Sequence, residues 1–162
     1  MIMMNNDIDE NNIIDSLKKV QSLVSLGFDP NNFGKSYHDY MIIKDHPEYI
    51  RSIRNLSKDI IYKCIETNPY CFIYIPDNKI DQEISEEVLK RTPNPPEIVC
   101  LYSLRKDYNN IKYIEKRNQT YMICKYVLEQ DIKTVQYCDA IVIDNHEDLV
   151  DMVISKLKEE FL

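Results

Sequence analysis

Glycine is nearly missing: the 162 residues contain two, along with a single alanine (Ala140) and no tryptophan. So little glycine excludes the Gly-rich loops that cradle phosphates and argues against many tight β-hairpins. Long apolar runs are absent too, and no window approaches the roughly 18–20 residues a membrane span needs. The opening stretch MIMMNNDIDENN has no basic segment leading into an apolar core, so it does not read as a signal peptide. Basic charge is in deficit, with 20 Lys and Arg against 27 Asp and Glu and a net charge of −7. A nucleic-acid binder carries a basic stripe to neutralise phosphates. The densest basic cluster here, Lys112, Lys116 and Arg117, is interrupted by Glu115. The five cysteines are an odd number without framework spacing and without a C-x-x-C pair, which fits a reducing compartment and meets no zinc rule. These absences lead us to expect a soluble, intracellular protein with no membrane partner, no nucleic-acid partner, no metal and no cofactor.

What the chain has is ordinary bulk composition, 44% apolar and 29% charged, at the length of one domain. It also has internal repetition. Four sixteen-residue copies align: HDYMIIKDHPEYIRSI (38–53), IIYKCIETNPYCFIYI (60–75), VCLYSLRKDYNNIKYI (99–114) and ICKYVLEQDIKTVQYC (123–138). Relative positions 5 and 6 hold Ile42–Ile43, Cys64–Ile65, Ser103–Leu104 and Val127–Leu128. A polar break follows at His46, Asn68, Asp107 and Asp131, with proline next in two copies, Pro47 and Pro69. Asn or Asp there can cap a following helix, and proline costs little at a first helical position. Positions 13 and 16 are apolar, as in Ile50 and Ile53 or Ile111 and Ile114, an interval that places both on one helical face. Each copy therefore reads as a helix, a tight polar turn and about two turns of a second helix. Neither piece is long enough to be stable alone, so neighbours must stack to share a core.

Outside the copies, residues 1–10 are polar and expected to be frayed. Residues 11–26 carry Ile13, Ile14, Leu17, Val20, Leu23 and Val24 at helical spacing, with Gly27 suited to the left-handed position that ends a helix. Residues 28–36 read as a loop. A degenerate copy lies at about 83–96, where Ile84, Val88 and Leu89 match the first segment and Thr92-Pro-Asn-Pro-Pro96 replaces the second. A regular helix cannot form through those prolines, and a bend or irregular connector is expected. Residues 147–162 read as an amphipathic cap with Val150, Val153, Ile154, Leu157 and Phe161 turned inward.

The pattern apolar-apolar-x-x-Asn/Asp-Pro-x-x-Ile-x-Tyr-Ile is clearest in Asn68-Pro69-Tyr70-Cys71-Phe72-Ile73-Tyr74-Ile75 and in Asn109-Asn110-Ile111-Lys112-Tyr113-Ile114. It resembles a short α-helical repeat of uncharacterised proteins from giant DNA viruses, with similar units in phage and bacterial proteins. The resemblance covers residues 38–138 and departs where proline is missing from the last two copies. It implies a helical-repeat fold and a viral protein, and it brings no activity and no catalytic residues. Residues 23–31, LVSLGFDPN, resemble the end of an ankyrin repeat, but the 33-residue period and the Thr-Pro-Leu-His opening are missing, so this is ordinary helix termination.

Candidate chemistry was weighed against packing. Cys100 and Cys124 share a repeat column with Asp39 and Ile61, Cys64 sits where other copies have Ile42, Ser103 and Val127, and Cys138 replaces isoleucine, so they read as small hydrophobes. His38 and His46, flanked by Asp39 and Asp45, have no forced convergence. Glu83 and Glu87 share a helix face and repel each other rather than fix a metal. Tyrosine is the exception, because Tyr74, Tyr113 and Tyr137 all occupy position 15. A repeated column in a stack becomes a line on one surface, and tyrosine is favoured at interface hot spots.

The expected architecture is an all-α, irregular solenoid-like array of short helical hairpins over residues 11–162, with amphipathic helices at both ends. The expected function is non-enzymatic: an adaptor or inhibitor that binds another protein through Tyr74, Tyr113 and Tyr137. The alternatives are a self-assembling subunit of a complex or virion, which makes it a homo-oligomer, and a cysteine- or histidine-dependent hydrolase.

Overall fold

The computed structural model describes residues 29–160, together with Lys18, Gln21 and Gly27. Of the helix expected over 11–26 the described residues include Lys18 and Gln21, both helical; the rest of that segment, residues 1–10 and Phe161, expected to face inward, lie outside the described residues. Gly27 has φ +86°, the left-handed conformation that suits a helix end.

All regular structure among the described residues is helical. In chain order the elements are α1 (Tyr37–Asp45), the 3₁₀ segment η1 (Pro47–Ser52), α2 (Lys58–Thr67), α3 (Cys71–Tyr74), η2 (Asp77–Lys79), α4 (Gln82–Arg91), α5 (Glu97–Lys106), η3 (Tyr108–Tyr113), η4 (Lys116–Asn118), α6 (Tyr121–Gln130), η5 (Ile132–Tyr137), α7 (Ala140–Asp144) and α8 (Glu147–Glu160). No described helix is long and apolar enough to cross a membrane.

Local chemistry sets the boundaries. Ser36 and Asp39 form a reciprocal capping box on α1. Ser57, Asp81 and Thr120 each accept a backbone N–H in the first turn of α2, α4 and α6. At the polar break Asn68, Asp107 and Asp131 accept the N–H two residues on, from Tyr70, Asn109 and Lys133, so the chain reverses without stranding a donor. Three of the four second segments, η1, η3 and η5, are 3₁₀ rather than α-helical. The three-residue interval between positions 13 and 16 matches the 3₁₀ period of three residues per turn.

The core is a single cluster from Phe33 to Leu149. Positions 5 and 6 of every copy are buried, as is position 16 (Ile53, Ile75, Ile114, Cys138). Position 12 is buried as well, although its occupants are Tyr49, Cys71, Asn110 and Thr134. In α8 the packed face agrees with expectation at Val150 and Val153 and differs at Ile154 and Leu157. Leu149 is fully buried and Met152 and Val153 pack beside it, whereas Ile154 and Leu157 are exposed. Lys156 fixes this rotation by donating to the Leu128 carbonyl at the end of α6.

The packing order is simple. Leaving aside the single turns η2 and η4, every element packs on the one two places further along: α1 on α2, η1 on α3, α2 on α4, α3 on α5, α4 on η3, α5 on α6, η3 on η5, α6 on α7 and η5 on α8. Elements therefore alternate between two layers. Members of a layer run parallel, as the Lys58–Asp81 and Arg91–Glu66 ion pairs at the two ends of α2 and α4 require. Cross-unit side-chain hydrogen bonds join residues such as Lys44 and Asn68, Gln82 and Asp107, or Tyr121 and Asp148, 24 to 27 apart, which is next-neighbour distance.

The proline-rich break shifts the phase. Copies one and two put their longer helix (α1, α2) in the first layer and their short segment in the second. The degenerate copy contributes α4 alone, because Thr92–Pro96 forms no helical element. The longer helices of copies three and four (α5, α6) consequently fall in the second layer and their short segments (η3, η5) in the first.

Candidate protein-binding surface

The phase shift decides what becomes of the tyrosine column. Tyr113 and Tyr137 end η3 and η5, neighbours in the first layer, while Tyr74 ends α3 in the second layer. The three do not form one line. Each is also engaged within the chain. The Arg51 guanidinium lies 5.0 Å over the Tyr74 ring and donates to the Tyr74 carbonyl. Tyr113 has the Lys90 and Lys112 ammonium groups 4.5 and 4.9 Å from its ring and donates its hydroxyl to Glu86 at 3.0 Å. Tyr137 is the most open of the three at 37% exposure, and its carbonyl accepts from Lys116 and Gln119.

Other exposed side chains, outside the tyrosine column, occupy equivalent positions on neighbouring helices. Ile98, Met122 and Ile141 are the second residues of α5, α6 and α7, which are consecutive in the second layer. Their exposures are 43%, 50% and 70%. The loops before these helices are stitched in register: Asn118 donates to the Pro93 carbonyl, and Gln119 accepts from the Asp139 N–H at 2.7 Å. Equivalent positions on parallel, registered helices lie side by side, at interaxial spacings of about 8–10 Å. Half-buried Tyr102 and Tyr126, one turn on in α5 and α6, extend the strip. Exposed Tyr70, just before α3, precedes it in the same layer. The signal was present in the sequence, since Ile98 and Met122 stand immediately before copies three and four, outside the core register.

The acids of α4 are paired partly within the helix and partly from neighbouring elements. Lys58 pairs with Asp81 and Glu83, and its hydrogen bonds hold both carboxyls below the ordinary range. Glu86 is lowered first by Gln82 and then by the Tyr113 hydroxyl, and Glu87 first by Lys90, Gln82 and Lys90 being residues of α4 itself. The Lys58 and Tyr113 contacts bind α4 to α2 and η3. The basic cluster is likewise occupied, with Lys116 on the Tyr137 and Cys138 carbonyls and Arg117 on Glu115.

All five cysteines are free and buried. Burial pushes the thiols of Cys64 and Cys100 up to about 12 and that of Cys71 higher still. Cys124 donates to Gln119 Oε1 and Cys138 to the Thr134 carbonyl, and the interaction between the two thiols lowers Cys124 and raises Cys138. His38 and His46 stand at opposite ends of α1, about 12 Å apart at the helical rise. His46 faces Glu48 and Tyr49 instead, while His146 Nδ1–H donates to the Val142 carbonyl and the ring packs on Tyr121.

One buried polar cluster stands out. Asn110 donates to the Ser85 and Ser103 hydroxyls, both at 3.1 Å, and Ser103 donates to the Ser85 carbonyl at 2.6 Å. The Asn110 Oδ1 has no hydrogen-bond partner. These three residues join α4, α5 and η3 at the point where the phase changes. No family model, curated protein or solved structure matches the chain.

Proposed function

We propose that this protein is a non-enzymatic protein-interaction module built as a solenoid-like helical array. The observation that carries this reading is the neighbour-to-neighbour packing, in which each element rests on the one two places along. Such a chain exposes the edges and outer faces of both layers over its whole length, the property that suits repeat proteins to recognition. The thiols and imidazoles that a hydrolase would use are occupied in packing and local hydrogen bonds, which supports a binding role. The motif resemblance to repeats of giant-virus proteins supports a host-directed adaptor or inhibitor acting inside a cell.

Affinity capture of the tagged full-length protein, followed by size exclusion and mass spectrometry, tests the reading. A discrete stoichiometric partner is the expected result. Recovery of large homomeric species alone would replace it with the self-assembling subunit, and a lone monomer with one fast-reacting thiol would replace it with the hydrolase. If Tyr113 and Tyr137 belong to the contact surface, Tyr113→Ser with Tyr137→Ser weakens capture while the circular dichroism spectrum is kept.

A further inference from the structure

We propose that the row Ile98, Met122 and Ile141 is the docking site for a basic amphipathic helix of another protein; this rests on the interaction-module reading. Three exposed apolar side chains on adjacent, registered helices make a continuous strip rather than the scattered single residues any surface carries. Tyr102 and Tyr126 widen it by one turn, supplying aromatic area with a polar tip. The strip crosses three parallel helix ends, so an occupant lying along it makes one contact per helix. A helix repeats the same face every seven residues, about 10.5 Å along its axis at 1.5 Å per residue, so apolar residues at i, i+7 and i+14 meet three helices spaced at about 8–10 Å.

Charge selects the occupant. Glu97 is the exposed neighbour of Ile98, and Asp144 lies one turn beyond Ile141. Residues 139–160, which hold α7 and α8, carry seven acids against two lysines. Of those acids, Asp148 is taken by Tyr121 and Lys125, and Asp139 caps α7. Asp144, Glu147 and Asp151 are exposed on α7 and on α8, which packs against it. Of the basic groups near the strip, Lys125 is taken by Tyr121 and Asp148 and Lys156 by the carbonyls of Leu128 and Glu129, while Arg105 lies 5.6 Å over the Tyr102 ring. An apolar strip with an acidic rim is complementary to a helix with leucine-like residues on one face and Lys or Arg on the other. A second copy of this chain would bring acidic rim against acidic rim in a molecule of net charge −7, so self-pairing is disfavoured.

The test uses the full chain and a synthetic helix of leucine and lysine, amphipathic by design, read by fluorescence anisotropy. Controls are its sequence-scrambled isomer and a leucine–glutamate counterpart. The expected result is saturable binding of the leucine–lysine helix that weakens at least tenfold in the scrambled isomer. It also weakens at least tenfold in the variant Ile98→Ser, Met122→Ser, Ile141→Ser, and falls as salt is raised. These side chains are exposed, so the variant keeps its helicity. Should the triple variant unfold, Met122→Ser alone carries the comparison with a smaller expected loss. Equal binding of scrambled or glutamate helices, or undiminished binding by the variant, overturns the proposal. So does a sedimenting dimer that the triple substitution dissolves, since the strip would then be a self-interface. A captured partner that still binds the triple variant overturns this site while leaving the module reading intact. Helix binding without any captured partner does the reverse.

Discussion

Replacing Ser103 with valine tests the buried cluster that fixes the phase change. Valine is what copy four carries at this position, as Val127, so the shape is compatible with the same local backbone. The substitution removes two hydrogen bonds, the 2.6 Å bond to the Ser85 carbonyl and the 3.1 Å bond from Asn110. Each is worth about 1 kcal/mol net. Burying the extra methyl group returns about 0.8 kcal/mol. Asn110 Nδ2 keeps Ser85 as a partner, so no full desolvation penalty is added. The expected loss is about 1–2 kcal/mol, or a fall in Tm of roughly 3–6 °C for a chain of this length. Adding Asn110→Thr, to match Thr134, removes the amide that the valine deprived. The double variant should then lose less than the two single losses summed, with a coupling of about 1 kcal/mol or more for residues in direct contact. Thermal and urea unfolding of the four proteins in the cycle measure this. Strict additivity, or a Ser103→Val protein as stable as the parent, would refute the claim that the cluster acts as a unit.

Three further outcomes are expected. Phe72, fully buried in α3, should cost about 3–5 kcal/mol on truncation to alanine, measured by urea denaturation. Gly34 has φ +95°, and a Cβ there would stand 3.2 Å from the Tyr40 hydroxyl, so Gly34→Ala should destabilise the protein in the same assay. The carboxyls of Asp81 and Glu83 are depressed by Lys58, so their stabilisation is present above the ordinary carboxylate pKa of about 4 and is lost as pH falls through the lower folded values. Tm should therefore drop on acidification below about pH 5, and Lys58→Met should flatten that slope.

Much of the fold was legible because it depends on local chemistry. The apolar pairs at positions 5 and 6, the caps at Asn68, Asp107 and Asp131, and the 3-residue interval of Ile111 and Ile114 each dictate structure within a turn or two. Position 12 was not legible, because Asn110 and Thr134 look like surface residues, yet both are buried, Asn110 against Ser85 of α4 and Ser103 of α5. The face of α8 was legible in part. Val150 and Val153 pack against the core as expected, whereas Ile154 and Leu157 fit the amphipathic pattern but are exposed, and Leu149 and Met152 lie inward instead.

The candidate site was the least legible feature. Repeat alignment says that units recur, but the layer a segment occupies depends on how many elements precede it. Thr92–Pro96 removes one element, so Tyr74 and Tyr113 share a column in the sequence and occupy different layers in the fold. The same shift places α5, α6 and α7 together and lines up Ile98, Met122 and Ile141.

The central claim is this two-layer order with its change of phase, and spin-label pairs measure it most directly. Labels at Ile98 and Met122 should show strong dipolar coupling, as neighbours in one layer, and labels at Tyr74 and Tyr113 should show much weaker coupling across the layers. Strong coupling between Tyr74 and Tyr113, with Ile98 and Met122 far apart, would contradict the account and restore a single tyrosine row.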